Sequence, residues 1–123
     1  IIPILMKYET SGYHKSLPLT IPLFAFCGIA EPNSFINSAK KLDLKVEGRK
    51  FFHDHQEYTE AVIQKLSEQI RANSISHVVT TEKDMVKLPE SFFEEFEVYV
   101  IKVDVVFENE LIIKDIIQPL LLN

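Results

Sequence analysis

Cysteine is nearly absent. Cys27 stands alone, so no internal disulfide can form and no CxxC exists to found a structural zinc site. A lone thiol suits a reducing compartment, and its place in an apolar run marks it as a small buried hydrophobe. Tryptophan is missing and glycine occurs only 3 times. Neither GxGxxG nor GxxxxGK[ST] can be read anywhere, so these 123 residues hold no P-loop of their own. Long apolar runs are lacking too. The longest, 1–6 and 17–30, fall short of the roughly 20 residues of a membrane span, and Pro18, Thr20, Pro22 and Gly28 interrupt the second. A peripheral membrane contact stays open on composition. There is no basic excess: the net charge of -5 argues against a nucleic-acid partner.

What is present fits a globular domain with a real core: 46% hydrophobic and 25% charged residues in 123. The run 1–6 predicts a short strand, and a chain that opens on Ile1 reads as cut from a longer one. Residues 7–17 are polar and predict a loop or linker. The continuous apolar run 22–29 predicts a strand buried on both faces. Pro32 suits the first turn of the helix that follows, with Phe35, Ile36, Ala39 and Leu42 on one side and Lys40 and Lys41 at its end. A second core strand is expected over 44–52, with Gly48 its weak point. Over 58–73 the stripe Val62, Ile63, Leu66 and Ile70 predicts the clearest helix, capped by Thr59. A third strand is expected over 75–79, then a short helix with Thr81 and Asp84 at capping-box spacing, running to Pro89. One more turn over 90–96, a fourth strand over 98–103 with a continuation at 105–107, and a closing helix over 111–122 complete the chain. Such alternation implies an α/β fold. The expected sheet has four to five strands, mostly parallel, with helices on both faces and right-handed crossovers, in a Rossmann-like three-layer sandwich.

Chemistry in such folds sits where strands open into helices. At the first junction Gly28 lets the backbone turn or approach a ligand closely. At the second, Asp54 and His55 are a carboxylate and an imidazole able to hold and move a proton near neutral pH. The alternatives there are Asp54 as a helix cap with His55 on the surface, or a metal site drawing on His53, His55 and Glu57; no third distant ligand announces itself. At the third, the hydroxyls of Thr80 and Thr81 stand at a helix start, where they either hold an anion or sugar hydroxyl or simply cap. Glu82, Lys83 and Asp84 follow as a first turn of mixed charge.

Taken together, three segments resemble one family. They are 25–32 (AFCGIAEP) with Phe35, the run Phe52-His53-Asp54-His55 with Tyr58 and Thr59, and 78–88 (VVTTEKDMVKL). In order and spacing they resemble the signature segments of the tetraacyldisaccharide 4'-kinases, the ATP-dependent lipid A 4'-kinases of Gram-negative bacteria. The resemblance spans about 23–103 and covers the C-terminal part of such an enzyme. It implies a division into 1–20, a strand and linker continuing from a missing N-terminal domain, and 21–123, a C-terminal α/β domain. It implies a kinase that phosphorylates the 4' position of the tetraacyldisaccharide precursor of lipid A. ATP and Mg2+ would be bound by the N-terminal domain and not by this fragment, which is expected to be inactive alone. By the same resemblance His55 partners an aspartate of that domain in drawing the proton from the 4' hydroxyl. Asp54 beside it positions the loop, and Gly28, Thr80, Thr81, Glu82, Lys83 and Asp84 face the substrate. The expected partners are the lipid disaccharide and the N-terminal kinase domain. The whole enzyme would lie peripherally on the cytoplasmic side of the inner membrane, with the fragment itself soluble. Two positions depart from the family pattern: His53 replaces a usual proline, and Gln56 a common second histidine. A non-catalytic α/β module binding a ligand or a protein is the competing expectation.

Overall fold

A computed structural model describes residues 2–9, 12–16 and 19–104. Ten elements follow in the order β1 (Ile2–Glu9), β2 (Gly12–Lys15), β3 (Pro22–Cys27), α1 (Pro32–Lys41), β4 (Lys45–Phe51), α2 (Glu60–Ala72), β5 (His77–Thr81), α3 (Glu82–Met85), α4 (Glu90–Glu95) and β6 (Glu97–Asp104). They form one 6-stranded sheet in the order β2-β1-β6-β5-β3-β4. The pairs β3/β4, β3/β5 and β5/β6 are parallel; β1 runs antiparallel to both β2 and β6. The α/β class and the mostly parallel sheet are as the sequence predicts.

Strand alternation sorts the core into two layers. On β3, Phe24 and Phe26 face one side and Leu23, Ala25 and Cys27 the other. Phe24 and Phe26 pack with Leu66 and Ile70 of α2, Met85 of α3 and Phe92 of α4. The opposite side receives Phe35 and Ala39 of α1, together with Val79, Tyr99 and Ile101. Helices therefore cover both faces, as expected for parallel strands that are apolar throughout. Local chemistry agrees. Pro32 sits in the first turn of α1 and Lys40 and Lys41 in its last. Thr59 caps α2, its hydroxyl accepting from the Val62 N–H at 3.3 Å.

The main departure lies at the start. Residues 7–17, expected as a linker, instead carry the end of β1 and all of β2, a hairpin in which Met6 faces Lys15 and Glu9 faces Gly12. Polar side chains concealed the strand. Lys7 Nζ lies 3.3 Å from Glu9 Oε2 on its own strand and 3.1 Å from Glu97 Oε1 on β6, while Tyr8 packs on the core against Phe93. Gly12, at φ +117°, supplies the turn backbone that other residues rarely adopt. The hairpin also raises the strand number above the expected four to five. Smaller shifts occur elsewhere. β5 runs to Thr81, because its ladder with β6 continues to the Thr81–Ile101 pair. The helix after it is only four residues long before turning at Val86. The strand and helix expected over 105–107 and 111–122 lie outside the described residues.

β4 is an edge strand, and its register shifts opposite Leu23 and Phe24. Gly48 permits that irregularity: a Cβ there would stand 2.6 Å from Phe24 Cδ2. Phe24 is a buried core ring with little room to yield. Gly48→Ala should therefore lower stability by about 1–3 kcal/mol, read as a shift of the urea midpoint at unchanged slope. Cys27 makes a second test. Burial, reinforced by the charge of Asp84, pushes its thiol up to about 11, leaving it neutral and unreactive. Iodoacetamide at pH 8 should label Cys27 only as the chain unfolds; rapid labelling of the native protein would contradict the buried placement.

Candidate functional site

Because β3, β4 and β5 are parallel, the turns that leave them emerge at the same end of the sheet. The chain leaves β3 toward β4 on one side and leaves β5 toward β6 on the other. The gap between β3 and β5 is thus the switch point at which such sheets place their ligand crevice.

Asp84, fully buried, fills that gap. Its two carboxylate oxygens accept from the Gly28 N–H at 3.1 and 3.2 Å. Oδ1 also accepts from the Tyr58 hydroxyl at 2.8 Å, and Oδ2 from the Thr81 hydroxyl. Thr81 Oγ1 in turn accepts from the Asp84 N–H at 3.1 Å, which caps α3. The capping pair read from the sequence is present, with the carboxylate turned to the Thr81 hydroxyl and onward to the other two junctions. Burial, and after it the charge of Asp84, pushes the Tyr58 hydroxyl well above the usual phenol range, so Tyr58 serves only as a donor. Gly28 is required by close packing. A Cβ would meet the His53 carbonyl and Gln56 Cβ, each at 2.9 Å, and Asp84 Oδ1 at 3.3 Å.

The second junction lies over this buried brace. Asp54 Oδ1 accepts from Lys83 Nζ at 2.9 Å and from the His55 N–H at 3.1 Å. Asp54 Oδ2 stands 3.5 Å from His55 Nε2. The Lys83 ammonium holds the Asp54 carboxyl below the usual carboxylate range, with His55 adding a smaller pull. Asp54 is therefore an ionised acceptor at neutral pH. The His55 ring is 81% exposed, and its backbone takes the left-handed conformation at φ +62°. Such a φ is uncommon outside glycine and collects at functional loops. Asp54 does not cap α2, since Thr59 does. Its carboxylate is left to Lys83 and the imidazole.

The remaining candidates divide. Thr80 is buried and its Oγ1 finds no hydrogen-bond partner among the described residues. Glu82 is exposed and reaches Lys102 Nζ at 3.7 Å. Lys83 joins Asp54. Of the proposed set, Asp54, His55 and Lys83 are both together and accessible, whereas Gly28, Thr80 and Asp84 lie beneath them. Sequence reasoning missed Lys87, whose Nζ donates to the Gln56 carbonyl at 3.0 Å. Its signals were its place in the segment 78–88 and the i, i+4 spacing from Lys83. Among the described residues no group of three or more His, Cys, Asp or Glu gathers to hold a metal, and no helix is long and apolar enough to cross a membrane. A cavity of about 250 Å³ lies between α1 and β4, and a larger one of about 680 Å³ lies beside α2. Neither is lined by Asp54 or His55.

The family model described as tetraacyldisaccharide-1-P 4'-kinase matches residues 6–121. The tetraacyldisaccharide 4'-kinase of Desulfotalea psychrophila is 34% identical over 104 residues, which cover 79% of this chain and 30% of that protein. The enzyme of the same name from Chlorobaculum parvum is 37% identical over 87 residues, covering 71% of this chain and 24% of that protein. One from Rickettsia canadensis is 36% identical over 64 residues, 52% of this chain and 20% of its own length. The chain thus spans less than a third of the curated relatives it matches. No solved structure gives a significant match. A match across nearly the whole chain places it: the chain belongs to the tetraacyldisaccharide-1-P 4'-kinase family.

Proposed function

We propose that this chain is the acceptor-side lobe of a longer ATP-dependent lipid kinase, one that phosphorylates the 4' hydroxyl of an acylated glucosamine disaccharide. The observation that carries the reading is the exposed His55 imidazole beside the ionised Asp54, on a surface closed beneath by Asp84. Phosphoryl transfer asks the protein for positioning, charge neutralisation and a base at the attacking hydroxyl. This chain's residues fit the third of these. An imidazole that takes the hydroxyl proton becomes a cation, and Asp54 Oδ2 at 3.5 Å favours that cation. Lys83 keeps Asp54 ionised and fixed while this happens.

The residues here do not fit a nucleotide. There is no P-loop, and the backbone N–H of Gly28 already serves a carboxylate. MgATP is accordingly assigned to another lobe of the enzyme, where it supplies the phosphoryl group. An aspartate from that lobe would complete the pair with His55. The lipid disaccharide would lie between the lobes, over His55 and the Thr81–Lys83 turn. Peripheral attachment to the inner membrane belongs to the same reading.

In the full-length enzyme, His55→Ala should lower kcat by about 100-fold or more, the range of a lost general base, and leave the KM for ATP within about twofold. Steady-state kinetics with both substrates varied will decide; parallel losses in kcat and ATP affinity would remove His55 from this role. The isolated chain should show no lipid kinase activity. Turnover by these 123 residues alone would overturn the assignment of the nucleotide to another lobe.

A further inference from the structure

The segment that carries His55 has no regular structure between the end of β4 and the start of α2. Its conformation must come from anchors, and the anchors alternate. Asp54 is held by Lys83 Nζ at 2.9 Å, the Gln56 carbonyl by Lys87 Nζ at 3.0 Å, and the Tyr58 hydroxyl by Asp84 Oδ1 at 2.8 Å. His53, His55 and Glu57, between and beside them, are exposed. All three anchoring side chains come from one short stretch, α3 and the turn after it.

That stretch is itself tied to the sheet. Thr81 ends β5, paired with Ile101 of β6, while Met85 and Leu88 are buried in the core. Asp84 also takes the Gly28 N–H at the end of β3. The Tyr58 ring packs edge-on against Phe26 and Phe52, with centroids 6.2 and 5.5 Å away. The loop is thus referenced to the ends of β3 and β5 through one buried carboxylate.

We propose that Lys83, Asp84 and Lys87 form a clamp that sets where the His55 imidazole stands, with Asp84 a positioning residue acting through the Tyr58 hydroxyl. This rests on the catalytic reading of His55 and gives that reading its mechanical basis. Positioning matters because a misplacement of about 1 Å at a reacting group can cost about 100-fold in rate. It also accounts for a positive φ at a non-glycine residue: anchors at 54 and 56, one on either side of His55, hold the residue between them in a conformation it would seldom adopt free. The clamp does not require Asp84 or Tyr58 to touch substrate, and the burial of Asp84 excludes such contact in this structure.

The test is a double-mutant cycle in the full-length enzyme. Tyr58→Phe deletes the hydroxyl and keeps the ring in place. It should lower kcat by about 10- to 100-fold with the KM for ATP unchanged, measured well below a thermal midpoint that falls because buried Asp84 loses a donor. In the His55→Ala background the same change should cost nothing further, because the group it positions is gone. An equal further loss in that background would show that Tyr58 acts on the fold or on another group, and would overturn the proposal. So would a wild-type kcat in Tyr58→Phe. Should Tyr58→Phe not fold, Lys83→Met on the exposed side of the clamp takes its place and must show the same non-additivity with His55→Ala. A rise only in the KM for the lipid would instead make Lys83 a substrate contact and refute its part in the clamp. If His55→Ala alone keeps full activity, the catalytic reading falls. A large loss in His55→Ala joined by an equal further loss from Tyr58→Phe would instead leave that reading standing and fail the clamp alone.

Discussion

The buried carboxylate of Asp84 is the constraint on which the rest depends. A carboxylate withdrawn from water is costly unless its lone pairs are met by donors. Here the donors come from three places far apart in sequence: the Gly28 amide, the Tyr58 hydroxyl and the Thr81 hydroxyl. Hydrogen bonds to a charged group are worth about 1.5–3 kcal/mol each in mutational series. Satisfying all of them at once admits few arrangements of the three strand ends. The same condition forces glycine at position 28, where a methyl group would collide with the second junction. It also forces a hydroxylated ring at position 58. Sequence features that look independent are consequences of one desolvated group.

Much of the fold was legible because its signals are local. The apolar run of β3, the stripe of α2 with its Thr59 cap, and the Thr81–Asp84 spacing each declare themselves within a few residues. The β1–β2 hairpin was not legible, since it relies on pairing with β6 and on ion pairs that cross strands, such as Lys7 with Glu97. Lys7, Tyr8 and Glu9 show no apolar face to read. The early end expected for β5 has a similar cause. Thr80 and Thr81 have turn-like chemistry, yet the ladder to β6 extends them.

The site divides in the same way. Asp54 and His55 could be picked out by residue type and by their place after a strand. Asp54 as a cap for α2 was a fair expectation from type, but Thr59 stands nearer the first turn and takes that task. What sequence could not supply was depth. Asp84, 56 residues from Gly28, looks like any exposed acid of a first helical turn, and only the fold shows it to be buried. Lys83 and Asp84, adjacent in sequence, point to different levels of the site, one toward Asp54 at the surface and one toward the core. Lys87 stands within the segment 78–88, yet its role shows only in the fold, where its Nζ reaches the Gln56 carbonyl.

Crevices at the switch point of an open α/β sheet ordinarily welcome a ligand, often an anion that meets backbone amides there. In this domain the anion is tethered to the chain. A covalently attached carboxylate competes at an effective concentration no dissolved phosphate matches, and any incoming anion would meet its charge as well as its bulk. The domain is thus preloaded. Its strand ends are held together by a carboxylate of its own chain, with no bound small molecule needed to join them. A domain built this way behaves as a fixed anvil, its strand ends set from within by Asp84.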